Sequence, residues 1–231
     1  MQRAVDYTSL MDTSIDQVKP HHAAEWVANS VTHGLGFVAS LVALPVLIVA
    51  SLRDGDALRV TGAVIFGISL VLLYGASTVY HSFPHSPRRR TLRVIDHSAI
   101  FILIAGSYTP FMLGPLRGTL GYTMLAVVWS MAAAGIIMKA FHGFGRPALT
   151  AIPYVAMGWL CAIATKPLIQ QVGAAGLWWL LAGGLFYTGG VVFYATDSRV
   201  RYGHAVWHLF VLAGSTCHFF AVLWHSGGTG A

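Results

Sequence analysis

Residues 58–82 read LRVTGAVIFGISLVLLYGASTVYHS. No charged side chain falls between Arg59 and His81, and a run of that length crosses the roughly 30 Å hydrocarbon core of a bilayer as one helix. The end of the run differs from its middle: Ser77, Thr78, Tyr80 and His81 gather polar groups where the helix should reach the membrane surface. This stretch reads as a transmembrane helix whose chemistry sits at one end.

The rest of the chain repeats the pattern. Of 231 residues, 56% are hydrophobic and only 10% charged, against about 25% in a soluble domain. Apolar runs fall near 26–51, 58–80, 94–113, 119–138, 148–165, 174–195 and 203–225, which predicts an all-α bundle of seven transmembrane helices. Seven spans with their connections exhaust the chain. The organisation expected is a tail at 1–25, one membrane domain at 26–225 and a short tail at 226–231. The fifth run is the shortest, flanked by Pro147 and Pro153 and ending where Lys166 would snorkel to the interface. Arg53-Asp54-Gly55-Asp56, Gly114-Pro115-Leu116-Arg117-Gly118 and His142-Gly143-Phe144-Gly145 read as tight turns, so consecutive helices should be antiparallel neighbours. No internal repeat supports an inverted-repeat transporter.

Orientation follows from Lys and Arg, which cytoplasmic loops retain. On the N-terminal side lie Arg3, Lys19, Arg88, Arg89, Arg90, Arg93, Lys139, Arg146, Arg199 and Arg201; the other side holds Arg53, Arg59, Arg117 and Lys166. Ten against four places the N-terminus in the cytoplasm and the C-terminus outside. The first 25 residues lack the basic-then-apolar order of a secretory signal. Although the chain is basic, its cations sit in short connectors rather than on one exposed helix, which argues against nucleic-acid binding. The Arg88–Arg90 cluster reads as a topogenic signal that also attracts anionic lipid headgroups. Cys161 and Cys217 lie inside apolar runs as small buried hydrophobes.

Ionisable groups in membrane helices are costly, so each needs a partner or a function. His81 ends the second run, Asp96-His97 opens the third and His204/His208 open the seventh, so topology brings all three features to one face of the bundle. His204 and His208, four apart, stack on one helix face and offer two imidazoles to a metal. No Glu follows His204, so this is not the zinc-protease helix. His81 can add a third nitrogen and Asp96 a carboxylate, with Ser77 one turn deeper on the face of His81. Three histidines and an open position are the ligand set of a catalytic zinc, which lowers the pKa of its water to about 7. Two other readings compete: packed histidines bonded across helices, and a proton relay of Asp and His.

Glu25, Asn29 and His33 form one stripe at the start of the first run. It either backs the site, since metal-bound histidines usually donate their other nitrogen to a partner, or anchors the helix at the interface. His97 points about 100° away from Asp96 and is left out of the ligand set. His218 sits about 15 Å of helix rise beyond His208, too deep to share its metal, and is expected to bond a carbonyl or line a cavity. His21, His22, His85, His142 and His225 are loop or tail residues. Gly183-Gly184 and Gly189-Gly190 offer small packing faces, and Trp178-Trp179 reads as interface belt.

Glu25-Trp26-Val27-Ala28-Asn29-Ser30-Val31-Thr32-His33-Gly34, Ser77-Thr78-Val79-Tyr80-His81, Asp96-His97 and the His204/His208 pair followed by His218 together resemble the hemolysin III branch of the progestin and adipoQ receptor family. The resemblance covers essentially the whole chain. Through the wider superfamily, which includes alkaline ceramidases, it implies zinc held by His81, His204 and His208. It further implies Asp96 as the base holding the metal water, and Ser77 as a polar neighbour of that water or of a substrate oxygen.

The reading taken forward is a zinc-dependent intramembrane hydrolase of a lipid amide or ester, in the cell membrane, acting in membrane-lipid homeostasis with its site near the cytoplasmic face. Its partners are membrane lipids and a lipid substrate in the bundle interior. A channel or cytolytic pore former is the alternative, and a receptor-like lipid sensor with structural zinc the third. Neither the substrate nor the oligomeric state is written in the sequence.

Overall fold

The structure is a computed structural model and describes residues 23–53, 56–142 and 147–227. The tails at 1–22 and 228–231, with His21 and His22, and the turn residues Asp54, Gly55 and 143–146 lie outside the described residues, so the expectations for them are not addressed. All secondary structure among the described residues is helical. The helices are α1 (Ala23–Leu52), α2 (Ala57–Ser82), α3 (Arg89–Leu113), α4 (Thr119–His142), α5 (Pro147–Gly158), a 3₁₀ turn (Trp159–Ala164), α6 (Thr165–Thr196) and α7 (Gly203–His225).

Among the described residues, six stretches are long and apolar enough to cross a membrane, the fifth being Leu149–Thr196, 48 residues long. There the sequence expectation needs correction. The fifth span expected to end at Lys166 does not end there: α5 stops at Gly158, and after the 3₁₀ turn the chain stays helical through Lys166, in α6, and breaks at Gly173, whose φ of 70° and ψ of 176° no residue with a Cβ adopts readily. The lysine is tolerated because its neighbours continue the helix, whereas only glycine supplies the required backbone conformation.

Apolar side chains decide the layering. α3 is the hub and is mostly buried, while Leu149–Thr196 is largely exposed and presents Ile152, Ile163 and Trp178 outward. A bundle whose outer surface is this apolar is built for lipid contact, because water would leave such a patch exposed at a cost. α1, α2, α3 and α4 pack as successive neighbours, and α7 closes the bundle by packing on both α6 and α1. α4 and α5 barely touch, contrary to the expectation that all consecutive helices are close neighbours.

Above α5 the 3₁₀ turn frees backbone groups inside the bundle, where each unpaired group is expensive. Tyr108 of α3 satisfies them: its hydroxyl lies 2.9 Å from the Met157 carbonyl and 2.7 Å from that of Gly158, and accepts the Cys161 N–H at 2.9 Å. A cavity of about 280 Å³ opens between this segment and α2, α3, α6 and α7. Glycines set the close contacts around it, as expected for α6. A Cβ at Gly183 would run into the His218 ring, and one at Gly190 would come within 2.7 Å of Phe210. The tryptophan pair divides: Trp178 faces outward, while Trp179 packs on Phe220 and Trp224 of α7, because adjacent helical residues point about 100° apart.

Candidate metal centre

The end of α2, the start of α3 and the start of α7 meet at one end of the bundle, as connectivity requires. His81 lies in the last turn of α2, and His204 and His208 occupy the first two turns of α7. One ring nitrogen from each lies within 4.8 Å of the others, so these three side chains could hold a metal ion. Their ring centroids are 4.7 to 5.0 Å apart, with His81 and His208 buried and His204 half-buried. Imidazole nitrogens in this number suit zinc and also copper, iron or nickel.

The hydrogen bonds around the rings test whether the residues fit an ion. Nδ1 of His204 is 3.3 Å from Asp197 Oδ2. For His208, Nδ1 is 3.0 Å from Thr32 Oγ1 and 3.2 Å from the Asn29 carbonyl oxygen. His81 Nε2 is buried and has no hydrogen-bond partner among the described residues. Leaving such a group unpaired costs about 1–3 kcal/mol, a cost that coordination would remove. The arrangement fits an imidazole-bound metal ion.

A second ring of side chains surrounds the first. His33 of α1 stacks on His208 with centroids 3.5 Å apart and planes at 15°, and meets Tyr74 edge-on at 5.1 Å. Both His33 nitrogens are buried without a partner among the described residues. The Glu25–Asn29–His33 stripe therefore faces the cluster: Glu25 Oε1 accepts the Tyr202 N–H at 3.4 Å, at the N-terminus of α7. Asp96, buried in the second turn of α3, has Oδ2 3.2 Å from His97 Nδ1. His97 is held in turn by the Tyr154 hydroxyl, which donates to its carbonyl at 3.1 Å, and by Tyr194, whose hydroxyl is 3.5 Å from Nε2. His97 thus stands beside Asp96 and outside the histidine cluster.

Ser77 is 1% exposed and, with Asp96, His33, His204 and His208, lines the cavity, whose remaining wall is mostly aliphatic and aromatic. His218 lines the same cavity deeper in the bundle, and its Nε2 is 3.3 Å from the Leu180 carbonyl, as its depth led us to expect. Cys217 is buried and Cys161 half-buried at the cavity wall; both are free. His85 rests edge-on against Trp26 at 4.9 Å. Asp197 and Thr32 escaped the sequence reading. Asp197 sits seven residues before His204 in the loop outside α7, and Thr32 lies on α1, 176 residues before His208, so neither spacing announces the contact.

Known proteins are similar to this chain. The family described as haemolysin-III related matches residues 22–219. The hemolysin-3 homolog of Bacillus subtilis is 46% identical over 201 residues, covering 87% of this chain and 94% of its own. Hemolysin-3 of Bacillus cereus is 43% identical over 201 residues, covering 87% and 91% respectively. The human monocyte to macrophage differentiation factor is 31% identical over 205 residues, covering 86% and 83%.

Proposed function

Because this chain belongs to the haemolysin-III related proteins, the hemolysin III branch of the progestin and adipoQ receptor family, we propose that it is a zinc-dependent hydrolase of a lipid amide or ester. The observation that carries the reading is a cluster of three imidazoles, two of which, His204 and His208, line one mostly apolar cavity together with the buried Asp96 carboxylate and the buried Ser77 hydroxyl. His81, His204 and His208 would hold the ion, which when bound supplies Lewis acidity to an acyl carbonyl and lowers the pKa of water. Asp96 takes the proton from water and returns it to the leaving amine or alcohol, and His97 beside it keeps the carboxylate in place. Ser77 donates to the substrate oxygen. The apolar cavity wall receives the acyl chain and excludes bulk water from the reacting groups.

The same reading includes a topology of seven spans. A stretch of 48 residues is far longer than one crossing requires, and the Gly173 break divides Leu149–Thr196 into two segments, each long enough to cross once. With the basic loops inside, the N-terminus is cytoplasmic, the C-terminus is external and the histidine cluster lies near the cytoplasmic face of the cell membrane. Cysteines placed at Arg90 and Ser226 on a Cys161/Cys217-free background test this. Labelling of both positions from the same side would overturn the odd number of spans.

The names of the Bacillus relatives favour a second reading, a channel or cytolytic pore. Elemental analysis of detergent-purified protein, then a panel of amide and ester lipids with and without chelator, separates the two. Close to one zinc per chain and chelator-sensitive turnover support the hydrolase. Absence of turnover across the panel, with liposome leakage that ignores chelator, would establish the pore instead.

A further inference from the structure

The ring nitrogens that the proposed metal does not use are arranged as deliberately as those it does. An imidazole can present Nε2 to a cation only if the proton resides on Nδ1, and what Nδ1 touches sets that choice. At His204 the neighbour is the Asp197 carboxylate, which when ionised can only accept. At His208 there are two neighbours. The Asn29 carbonyl oxygen can only accept, and the Thr32 hydroxyl has a single proton already directed at the Ala28 carbonyl at 2.9 Å or the Asn29 carbonyl at 3.0 Å. Its oxygen, 3.0 Å from Nδ1, is left as an acceptor. Each Nδ1 thus faces an oxygen that accepts, the Asp197 carboxylate or the Asn29 carbonyl, and the Thr32 hydroxyl, whose proton has carbonyl acceptors of its own, can accept as well, which favours the proton on Nδ1 in both rings.

We propose that Asp197 and Thr32 are positioning residues that hold His204 and His208 in the Nδ1-protonated tautomer, so that both present Nε2 to one metal ion; this rests on the metal reading above. Backbone geometry supports the assignment of Asp197. Tyr202 takes a left-handed conformation, φ 58° and ψ 14°, to start α7, and a Cβ at Gly203 would lie 3.0 Å from the Asp197 Cα. The loop between α6 and α7 is thus folded tightly back, which delivers the carboxylate to a ring seven residues later. Thr32 arrives from α1, so two different elements each fix one ligand. At His81, Nε2 is buried and has no hydrogen-bond partner among the described residues.

The test uses the full chain in detergent, zinc ions and a competing chelator. Asp197→Ala should weaken zinc binding 10- to 100-fold, the range seen when such outer partners are removed. Thr32→Val should weaken it about tenfold, at the lower end because the Asn29 carbonyl remains. Thr32→Ser keeps the hydroxyl and should restore wild-type affinity, and metal-free melting temperatures should match wild type throughout. Nitrogen NMR of the histidine rings in zinc-loaded wild type gives an answer even where a variant does not fold: coordination through Nε2 is expected at both positions. Unchanged affinity in Asp197→Ala and Thr32→Val, or Nδ1 coordination in wild type, would overturn the proposal. Wild-type protein that never retains zinc would instead sink the metal reading beneath it.

Discussion

The two ends of the bundle contain polar groups of very different consequence. At the histidine end, His33, His81, Asp96, His97 and His208 are all buried, and the His33 nitrogens and His81 Nε2 have no hydrogen-bond partner among the described residues. At the opposite end, Asp56 caps α2 by accepting the Leu58 N–H at 2.9 Å and pairs with Arg117, all in the open. Arg117 and the cap together hold the Asp56 carboxyl below the usual carboxylate range. Burial is what separates the ends. A charge pair in water gains little, because solvent competes for both partners, whereas a buried imidazole nitrogen left without a partner costs about 1–3 kcal/mol.

That contrast breaks first at the ligands. His208→Ala, and separately His204→Ala, should reduce bound zinc from near stoichiometric to background, since each leaves two nitrogens; stoichiometric zinc in either purified variant would refute the assignment. Next in size is Asp96→Asn. It should retain most of the metal and wild-type melting behaviour while hydrolysis falls by about 10²–10⁴-fold, because an amide cannot accept the proton. If lytic activity survives this change undiminished and wild type turns over no lipid, the pore reading takes its place.

Smaller effects belong to packing. Gly183→Ala forces a methyl group into the His218 ring on the cavity wall, and should destabilise the bundle by about 1–3 kcal/mol, read as a lowered Tm in detergent. An unchanged Tm would mean that α6 and α7 separate more easily than their packing implies. The smallest effect is expected at the open end, where Arg117→Met should leave Tm near that of wild type at neutral pH. The sign with pH is fixed: a carboxyl held low contributes above its unfolded pKa and loses that contribution as pH falls through the folded value. A large Tm loss in Arg117→Met would show that this end, too, is structurally essential.

Much of the fold was legible because hydrocarbon imposes strict rules. A helix must satisfy its own backbone and present apolar side chains over its full length, so α2 from residue 57 to 82 and α7 from 203 to 225 follow the apolar runs within a few residues. The grouping of His81, His204 and His208 was equally legible, since alternating helices bring the end of one span and the starts of others to the same face. Lys166 misled because a snorkelling lysine is compatible with a helix end without requiring one, whereas the break at Gly173 depends on a backbone conformation that composition does not announce.

By itself, then, the sequence determined an apolar helical bundle of the hemolysin III type and which imidazoles share one of its ends, because periodicity, span length and residue type act locally. Tertiary structure alone decided the rest. It stacked His33 on His208, opened a cavity between the α5/3₁₀ segment and α2, α3, α6 and α7, and turned the α6–α7 loop back until Asp197 met His204. Thr32 became a partner of a residue 176 positions away for the same reason. Such contacts join elements whose separation in sequence carries no signal, and they exist only once packing has chosen which faces touch.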